Sequence, residues 1–421
     1  MERYSEYKDS GVKWLGEIPG HWELRKMKYT FDERSQKGFP NEPLLAATQN
    51  HGVILKSQYE NRTVEAVKSL DTLKLVEIGD FVISLRSFQG GLEYAHNRGI
   101  ISPAYTILTP THIKASYFKH LSKSDIFISL LKSSVTGIRE GQNIDYNKLK
   151  ESLLPIPPEE EQKAMGCYLD AATSKIDKAI AMQQKMIDLL NERKQIIIQN
   201  AVTKGLDENV EMKDSGVEWI GMIPKHWRKD KTMRLFGLYG SGTTPRENSN
   251  GGNFPWINSG DLNNSNLTVS SKFVSEKMIK DIPALKVYPQ NSIIIAMYGA
   301  SIGKIAISRI KCCTNQACFV LSFPCNKIQL EYAFYSLMAC KIKWIEQSQG
   351  GTQPNINADI IKQTWLAFPS IEEQEKIVSY IQEKCNDIEN ASYRCQRQIT
   401  LLQERKQIII NEVVTGKVKV S

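Results

Sequence analysis

The chain repeats part of its own sequence, and this duplication constrains its fold more than any other feature. Residues 8–22 read KDSGVKWLGEIPGHW and residues 213–227 read KDSGVEWIGMIPKHW, so eleven of fifteen positions are identical. Farther along, residues 192–198 (ERKQIII) recur unchanged as residues 404–410. The stretches between the repeats differ almost completely. Such a duplication predicts two copies of one structural frame that carry two different inserted domains.

Composition is typical of a soluble multidomain protein. A chain of 421 residues with 41% apolar and 24% charged residues predicts two to four domains with their own cores. The N-terminal stretch is polar, and the longest apolar runs, such as Ile293–Met297, are far shorter than the roughly 20 residues of a membrane helix. We therefore expect no signal peptide and a cytoplasmic location. The eight cysteines form no CxxC pair and no zinc-type spacing with histidine, which predicts reduced, mostly buried thiols and no metal site.

The positive charge of the chain is concentrated in the two inserts. The formal net charge is +8; residues 23–150 contribute +5, residues 228–355 contribute +8, and the remaining segments contribute −5. A surplus of lysine and arginine on a domain is the electrostatic signature of a polyanionic partner. Because both inserts carry it while the frame is slightly acidic, the pattern favours nucleic acid binding by the inserts.

Two long helices are predicted at equivalent places in the repeat. Residues 159–201 and 371–413 align at an offset of 212 without a gap. Two prolines and three glutamates introduce the first helix, and Ser370 with Glu373 predicts a capping box for the second. Gly205 and Gly416 predict glycine stops at the two ends.

Residues spaced by three and four form an apolar seam along each helix. In the first helix the seam is Leu169, Thr173, Ile176, Ile180, Gln183, Ile187, Leu190, Lys194, Ile197 and Ala201; in the second it is Ile381, Cys385, Ile388, Ser392, Cys395, Ile399, Leu402, Lys406, Ile409 and Val413. About 43 residues would span roughly 65 Å, longer than one small domain. We therefore predict an antiparallel coiled coil between the two helices, with Ile176, Ile187, Leu190, Ile388, Ile399 and Leu402 as helix-pairing residues.

The inserts are predicted to be compact α/β or α+β domains with strand-rich centres. A turn and a buried strand recur near the 212-residue offset at 79–84 and 290–295. Each strand is followed by a polar, glycine-bearing loop, 86–91 in the first insert and 298–304 in the second. Loops of this composition can approach base edges and phosphates, and they can equally be tight turns without a function. If they bind DNA, the donors are Arg86, Gln89, Tyr298, Ser301 and Lys304.

With these residues the chain resembles the specificity subunits of type I restriction-modification systems over nearly its whole length. The likeness is carried by the SGVxWxGxIPxHW opening of each half, the (I/F)PxxEEQ start of each helix and the ERKQIII stretch with its glycine stop. GTTPR (242–246), GASIGK (299–304) and TNQAC (314–318) resemble parts of a target-recognition domain, as do Gly90-Gly91 and SPAY (102–105) in the first insert. GQNI (141–144) is a further match, and its counterpart GTQPNI (351–356) departs from it by inserted residues.

The resemblance implies a non-catalytic DNA reader. Two target-recognition domains would each read half of an asymmetric bipartite site, and the helices would dock two methyltransferase subunits, which a restriction and translocase subunit can join. It adds Gln142, Arg246 and Gln353 to the candidate DNA-binding residues. It also implies that this chain binds no cofactor, while its partner subunits require S-adenosylmethionine, ATP and magnesium. The segments expected are 1–154 and 206–366 for the recognition domains, with 155–205 and 367–421 for the helices.

Other functions are weaker interpretations of the same residues. GASIGK has three residues between its glycines where an ATP-binding loop has four, and Gly240-Ser241-Gly242 with Asn253–Trp256 is only a partial amino-methyltransferase pattern. Glu161-Gln162-Lys163 has a nuclease-like spacing but falls in the first turn of a predicted helix. His21 and His226 occupy equivalent repeat positions, which favours a structural role. The alternative from another class is a coiled-coil scaffold whose inserts bind proteins.

Overall fold

The computed structural model describes residues 2–49, 51–59, 70–85, 87–136, 143–245, 252–348 and 355–420. The chain divides into two compact units, one formed by Met1–Gln184 with Gln396–Ser421 and the other by Lys185–Cys395. Each unit contains one inserted domain and a part of each long helix. The four segments expected from the sequence stay a prediction, because this division cuts through both helices.

The first unit is an α+β domain followed by helix. Its strands are Tyr7–Asp9, Glu17–Pro19, Glu23–Lys26, Phe31–Arg34, Leu45–Thr48, Gly52–Leu55, Lys74–Val76, Phe81–Ile83, Glu93–Tyr94, Gly99–Ile101, Thr106–Pro110, Val135–Thr136, Asn143–Ile144 and Leu153–Ile156. Its short helices are Ser87–Gly90, Ala115–Leu121, Asp125–Ser133 and Tyr146–Leu149, with 3-10 turns at Met27–Tyr29, Lys56–Gln58 and Leu70–Thr72.

The second unit has the same kind of architecture. Its strands are Met212–Asp214, Met222–Pro224, Arg228–Lys231, Phe236–Ser241, Phe254–Ile257, Asn266–Leu267, Lys272–Val274, Ser292–Ala296, Ile305–Ser308, Cys313–Thr314, Cys318–Pro324 and Trp365–Phe368. Its short helices are Thr232–Leu235, Glu276–Asp281, Leu330–Ala339, Lys341–Glu346 and Ala358–Gln363, with 3-10 turns at Ser259–Asp261 and Gly299–Ser301.

The central sheets of the two units share one strand order. In the first unit the order is Phe31–Arg34, Thr106–Pro110, Phe81–Ile83 and Glu93–Tyr94; in the second it is Phe236–Ser241, Cys318–Pro324, Ser292–Ala296 and Ile305–Ser308, with Asn266–Leu267 added at the edge. Neighbouring strands of these four-strand sets are antiparallel in both units. The inserts therefore have a common fold despite their different sequences.

Burial on both faces explains the apolar run at the centre of the second sheet. Side chains alternate between the two faces of a strand. Ile293 and Ile295 pack into one apolar cluster, whereas Ile294 and Ala296 pack into another. The strand that leads into the loop is therefore apolar at consecutive positions.

The two long helices are Glu159–Lys204 and Ile371–Val414. All ten predicted seam positions in each helix are buried or half-buried, whereas most of the other positions are exposed. The predicted glycine stops are confirmed, since Gly205 and Gly416 follow the helices at φ 76° and 72°. The predicted capping box is wrong in one half: the Ser370 hydroxyl accepts the Glu373 amide proton at 3.4 Å, but the Glu373 carboxylate is bound elsewhere.

Within each unit the two helices run antiparallel. In the first unit Glu161 and Gly416 both lie beside Trp22, and farther along each helix Asp177 pairs with Lys406 at 2.7 Å. In the second unit Gly205 lies beside Trp227 and Glu373, and Lys194 pairs with Glu389 at 2.7 Å. Asp177 and Glu389 align at the 212-residue offset, as do Lys194 and Lys406. The same ion pair is thus made twice by repeat-equivalent residues.

Candidate nucleic-acid interface

The loop Tyr298–Lys304 joins two antiparallel strands of the second unit, Ser292–Ala296 and Ile305–Ser308. Its two glycines have φ values of 62° and 73°, a region in which side chains are disfavoured. The Ala296 amide donates to the Lys304 carbonyl at 2.8 Å, which closes the loop tightly. An ATP-binding loop instead leads from a strand into a helix. The hairpin geometry therefore rejects the ATP-binding interpretation.

Three predicted DNA-binding residues of this loop have free donors. Tyr298 is 45% exposed, and Ser301 and Lys304 are half-buried. Among the described residues, none of the three side chains has a hydrogen bond or ion pair. Their polar groups are therefore available to a ligand.

Separate sequence stretches of the second unit meet at this loop. The Met297 amide, one residue before the loop, donates to the Ala317 carbonyl within the TNQAC stretch at 2.8 Å. Gly242 of the GTTPR stretch packs against the backbone of Thr314, where any side chain would collide. Glycine is required there because two backbones approach each other closely. The three stretches that resemble target-recognition motifs thus form one cluster.

Thr244 and Gln316 link two of these stretches through their side chains. The Thr244 hydroxyl donates to the Gln316 amide oxygen at 2.6 Å, and both residues are exposed. The Ile356 amide, at the end of the GTQPNI stretch, donates to the Met297 carbonyl at 2.9 Å. Two predicted contacts, Arg246 and Gln353, lie outside the described residues, and the cluster members nearest to them in the chain are Thr244 and Ile356.

The first unit places a short helix, Ser87–Gly90, after the buried strand Phe81–Ile83. Gln89 is exposed on this helix, and its amide oxygen accepts a proton from the Gln49 amide at 3.3 Å. The predicted contact Arg86 lies outside the described residues. Gln89 therefore stays a candidate DNA contact with Gln49 as its neighbour, and Arg86 stays a prediction from the sequence.

Gly91 ends this helix with a close approach of two chain segments. Its φ is 82°, and a side chain there would collide with the Ser122 carbonyl. The helix also contacts the strand Asn143–Ile144, the end of the GQNI stretch. Gln142 itself lies outside the described residues. In both units the segment after the central strand therefore contacts an Asn-Ile pair, Asn143–Ile144 in the first unit and Asn355 with Ile356 in the second.

An ion pair between Lys123 and the buried carboxylate of Glu93 lies beside the short helix Ser87–Gly90. The Lys123 ammonium donates to the Glu93 carboxylate and the Gly90 carbonyl, both at 2.9 Å, and to the Gln49 carbonyl at 3.3 Å. Glu93 is fully buried, and this burial raises its pKa to about 7 although Lys123 opposes the shift. Lys123 therefore ties the Gln49 segment to the helix that presents Gln89.

The repeated HW motif binds the repeated EEQ motif in the first unit. The Trp22 indole and the Tyr4 hydroxyl both donate to Oε2 of Glu161, at 3.0 and 2.9 Å. The His21 ring contacts Oε1 of the same carboxylate at 2.6 Å. Burial raises the pKa of Glu161, but the hydrogen bonds outweigh it and hold the pKa below its usual value. The carboxylate is therefore an acceptor in a structural joint.

The second unit repeats this joint. The Trp227 indole donates to Glu373 at 3.0 Å, and His226 contacts the same carboxylate at 2.8 Å. This explains why Glu373 does not complete the capping box. Both histidines have the structural role favoured from the sequence, and the nuclease-like spacing at Glu161 reflects a helix start that is bound to tryptophan.

A pair of buried tyrosines joins each domain to the end of a long helix. The Tyr117 hydroxyl donates to the Val414 carbonyl at 3.1 Å, and the Tyr332 hydroxyl donates to the Val202 carbonyl at 3.3 Å. Each bond satisfies a carbonyl in the last turn of a helix, which has no partner within the helix. Each domain is thus held by the C-terminal end of the helix that does not directly follow it in the chain.

Sequence reasoning missed several of these residues. Gln49, Lys123 and Glu93 in the first unit were not singled out, and Thr244 and Gln316 in the second were included only as members of the GTTPR and TNQAC stretches. The tyrosines also had a detectable signal, because Tyr117 and Tyr332 precede the helices by similar distances in the two copies. The others have partners 30 to 74 residues away, which no local pattern reveals.

Neither a metal cluster nor a membrane-spanning helix is found in the described part of the chain. The described residues contain no cluster of three or more His, Cys, Asp or Glu side chains arranged for a metal ion. Within the same ranges, no helix is long and apolar enough to cross a membrane. All eight cysteines are free thiols, and five of them are buried.

The fold and these contacts define a class of protein: a duplicated helical frame that presents two related domains with different polar motif clusters. A family model described as "Type I restriction modification DNA specificity domain" matches residues 224–394. The putative specificity subunit of the type I restriction enzyme MjaX from Methanocaldococcus jannaschii is 24% identical over 98% of both chains. The MjaVIII specificity subunit of the same organism is 28% identical over 69% of this chain and 68% of its own.

Solved structures agree in fold. A chain from a study of type I restriction-modification complex assembly matches with a TM-score of 0.70 and 15% identity, over 95% of this chain and 99% of that one. The HsdS subunit from Thermoanaerobacter tengcongensis matches with a TM-score of 0.50 and 15% identity, over 97% and 100%. Residues 224–394 thus match a type I restriction-modification DNA specificity domain, and the chain is similar over nearly its whole length to a curated type I specificity subunit.

Proposed function

We propose that this chain reads an asymmetric bipartite DNA sequence, with each inserted domain recognising one half. The observation that carries this proposal is that two domains of one topology present different side chains after equivalent strands. These are Gln89, bonded to Gln49, in the first domain and Tyr298, Ser301 and Lys304 in the second. Such side chains can donate to base edges and phosphates. The excess positive charge of both inserts supports a polyanionic ligand over a protein ligand.

Half-site exchange tests this reading. Replacing residues 228–355 with the corresponding insert of another family member should change one half of the recognised sequence and leave the other intact. Methylation mapping on DNA treated with the chain and its methyltransferase partner gives the readout. A change in both halves would contradict independent reading. Binding that shows no sequence preference and no salt dependence would favour the protein-binding scaffold instead.

The long helices supply two equivalent apolar faces for partner subunits. Leu189 and Ile196 on the first helix are 48% and 59% exposed, and Leu401 and Ile408 on the second are 47% and 55% exposed. These pairs align at the 212-residue offset, and they lie seven residues apart on one side of a helix. Two copies of one face suit two copies of one partner. We propose that each face docks one methyltransferase subunit.

Charged substitutions test this docking. Leu189→Asp with Ile196→Asp should remove one methyltransferase subunit from the complex, and Leu401→Asp with Ile408→Asp should remove the other. Sedimentation analysis of the assembled complex reports the stoichiometry. Val269→Asp, at a residue that is 77% exposed and lies off the long helices, is the matched control. Complexes that keep both subunits in all variants would place the docking surface elsewhere.

The catalytic chemistry of the complex belongs to its partners in this proposal. The chain itself is a non-catalytic subunit that binds no cofactor and acts in the cytoplasm, while S-adenosylmethionine, ATP and magnesium serve the methyltransferase and restriction subunits. Methyl transfer by the isolated chain, measured with labelled S-adenosylmethionine and DNA, would overturn this division of labour.

A further inference from the structure

We infer that Lys272, Lys286 and Lys341 form, with Lys304, a phosphate-binding belt around the motif cluster of the second unit. The inference rests on the proposed DNA recognition and adds residues that no sequence motif marks. It concerns the DNA backbone and not the bases.

Each of the three lysines is tied by a contact to a different part of the motif cluster. The Lys272 ammonium lies over the Trp256 ring at 5.8 Å, and the Trp256 indole donates to the Thr243 carbonyl at 3.1 Å. Lys272 therefore lies beside the GTTPR stretch from the side of the strand Lys272–Val274.

Lys286 lies near Gly240, two residues before the GTTPR stretch, and Lys341 lies against the GASIGK loop. The Lys286 ammonium is 3.9 Å from the position that a side chain on Gly240 would occupy. The side chain of Lys341 packs against Gly303, whose missing side chain leaves room for it. Lys304 lies in that loop itself. The four cations thus reach the cluster from separate chain segments.

None of these four lysines has an anionic partner among the described residues. Several other lysines are paired: Lys26 and Lys28 with Glu151, and Lys123 with Glu93. A paired ammonium is already neutralised, whereas an unpaired one can displace counterions from a phosphate. The net charge of +8 in residues 228–355 is thus in part concentrated beside the cluster.

A protein ligand fits this belt less well than DNA. The lysines lie against segments of a cluster that also contains exposed hydrogen-bonding side chains such as Gln316 and Tyr298. Phosphate contacts position a protein on the duplex, and polar side chains between them read base edges. Unpaired cations beside a polar cluster match that division.

The salt dependence of DNA binding tests the belt. The variant carries Lys272→Gln, Lys286→Gln and Lys341→Gln in the full chain, which keeps most of each aliphatic stem. The matched control carries Lys204→Gln, Lys327→Gln and Lys376→Gln, with the same change in net charge at exposed residues on or beside the long helices. A third variant with arginine at the three belt positions preserves the charge.

Each lost phosphate contact lowers the slope of log affinity against log salt by about 0.9. We expect the belt variant to lose about 2.7 units of slope, so that between 50 and 200 mM salt its affinity falls about 40-fold less than that of the unmodified chain. The ratio of affinities for cognate and unrelated duplexes should stay constant, because phosphate contacts carry no sequence information. The control and the arginine variant should keep the original slope.

The outcomes separate this inference from the proposed function. An unmodified chain without salt-dependent, sequence-selective DNA binding would refute both. Normal binding by the unmodified chain with an unchanged slope in the belt variant would refute the belt alone. An equal loss of slope in the control would also refute it, since general charge would then explain the effect. A belt variant that loses selectivity with its slope intact would assign the lysines to base reading.

Discussion

Lengthening both long helices by the same amount should widen the gap between the two DNA half-sites. The change is an insertion of four helix-forming residues after Lys185 and four more after Arg397. These points lie between Asp177 and Lys194 on the first helix and between Glu389 and Lys406 on the second, so both repeat-equivalent ion pairs can still form. Four residues add about 6 Å to a helix.

The expected widening follows from the rise of DNA. At about 3.4 Å per base pair, 6 Å corresponds to nearly two base pairs. Selection of preferred sites from randomised duplexes should return the original half-sites with a gap that is one or two base pairs longer. Four residues also advance a seam of period 3.5 by slightly more than one turn, so most apolar contacts are recovered.

An insertion in the first helix alone is the control. It shifts one end of that helix by about 6 Å relative to its unchanged partner, so the two ion pairs cannot both keep their register. We expect this variant to unfold at lower denaturant concentration. A doubly extended variant that is folded and active but recognises the original gap would refute the idea that the helices set the spacing.

Three further perturbations test the units separately. Burial raises the pKa of Glu93 to about 7, so ionisation of this carboxyl lowers the free energy of unfolding as pH rises from about 4.5, by about 3 kcal/mol above pH 7. Glu93→Gln should remove this pH-dependent loss of stability in denaturant titrations. A variant with the same pH dependence as the unmodified chain would contradict the assignment. Gly91→Ala, which forces a side chain against a carbonyl at positive φ, should destabilise the first unit by about 1–3 kcal/mol and leave recognition of the second half-site intact in site selection. The Lys419 amide donates to the Glu2 carbonyl at 2.9 Å, so residues near positions 2 and 419 can be joined by a short peptide. A circularly permuted chain that is joined there and opened within the mostly exposed linker 206–211 should fold and select the original sites. Loss of folding would show that this linker has a structural role.

The frame could be predicted from the sequence because its signals are local or repeated. Heptad spacing marked the seam positions, which are buried or half-buried in both helices, and glycine marked both helix ends. Duplication strengthened every signal, since a motif seen twice in equivalent places is a structural element. The capping-box prediction at Ser370 and Glu373 was wrong in one half, because the Glu373 carboxylate accepts a hydrogen bond from the distant Trp227 indole.

The candidate DNA contacts were predictable only in part. The loops at 86–91 and 298–304 were found because each follows a buried strand, and Tyr298, Ser301 and Lys304 have free polar groups among the described residues. Arg86, Gln142, Arg246 and Gln353 lie outside those residues, and DNA contact by any of the candidates stays a prediction. The sequence offered no signal for Gln49, and it marked Gln316 only as part of the TNQAC stretch, because the partners of both side chains come from other loops.

The sequence by itself determined the architecture of this protein: two divergent domains, two long helices, and the repeated motifs that join them. Periodicity and capping act within a few turns of chain, so these elements are encoded where they occur. Only the tertiary structure decided which distant residues meet. Strand order places GTTPR against TNQAC and brings Lys341 to the GASIGK loop. Such neighbours are set by sheet topology and by close packing of backbones, which depend on the whole core and not on the residues that meet.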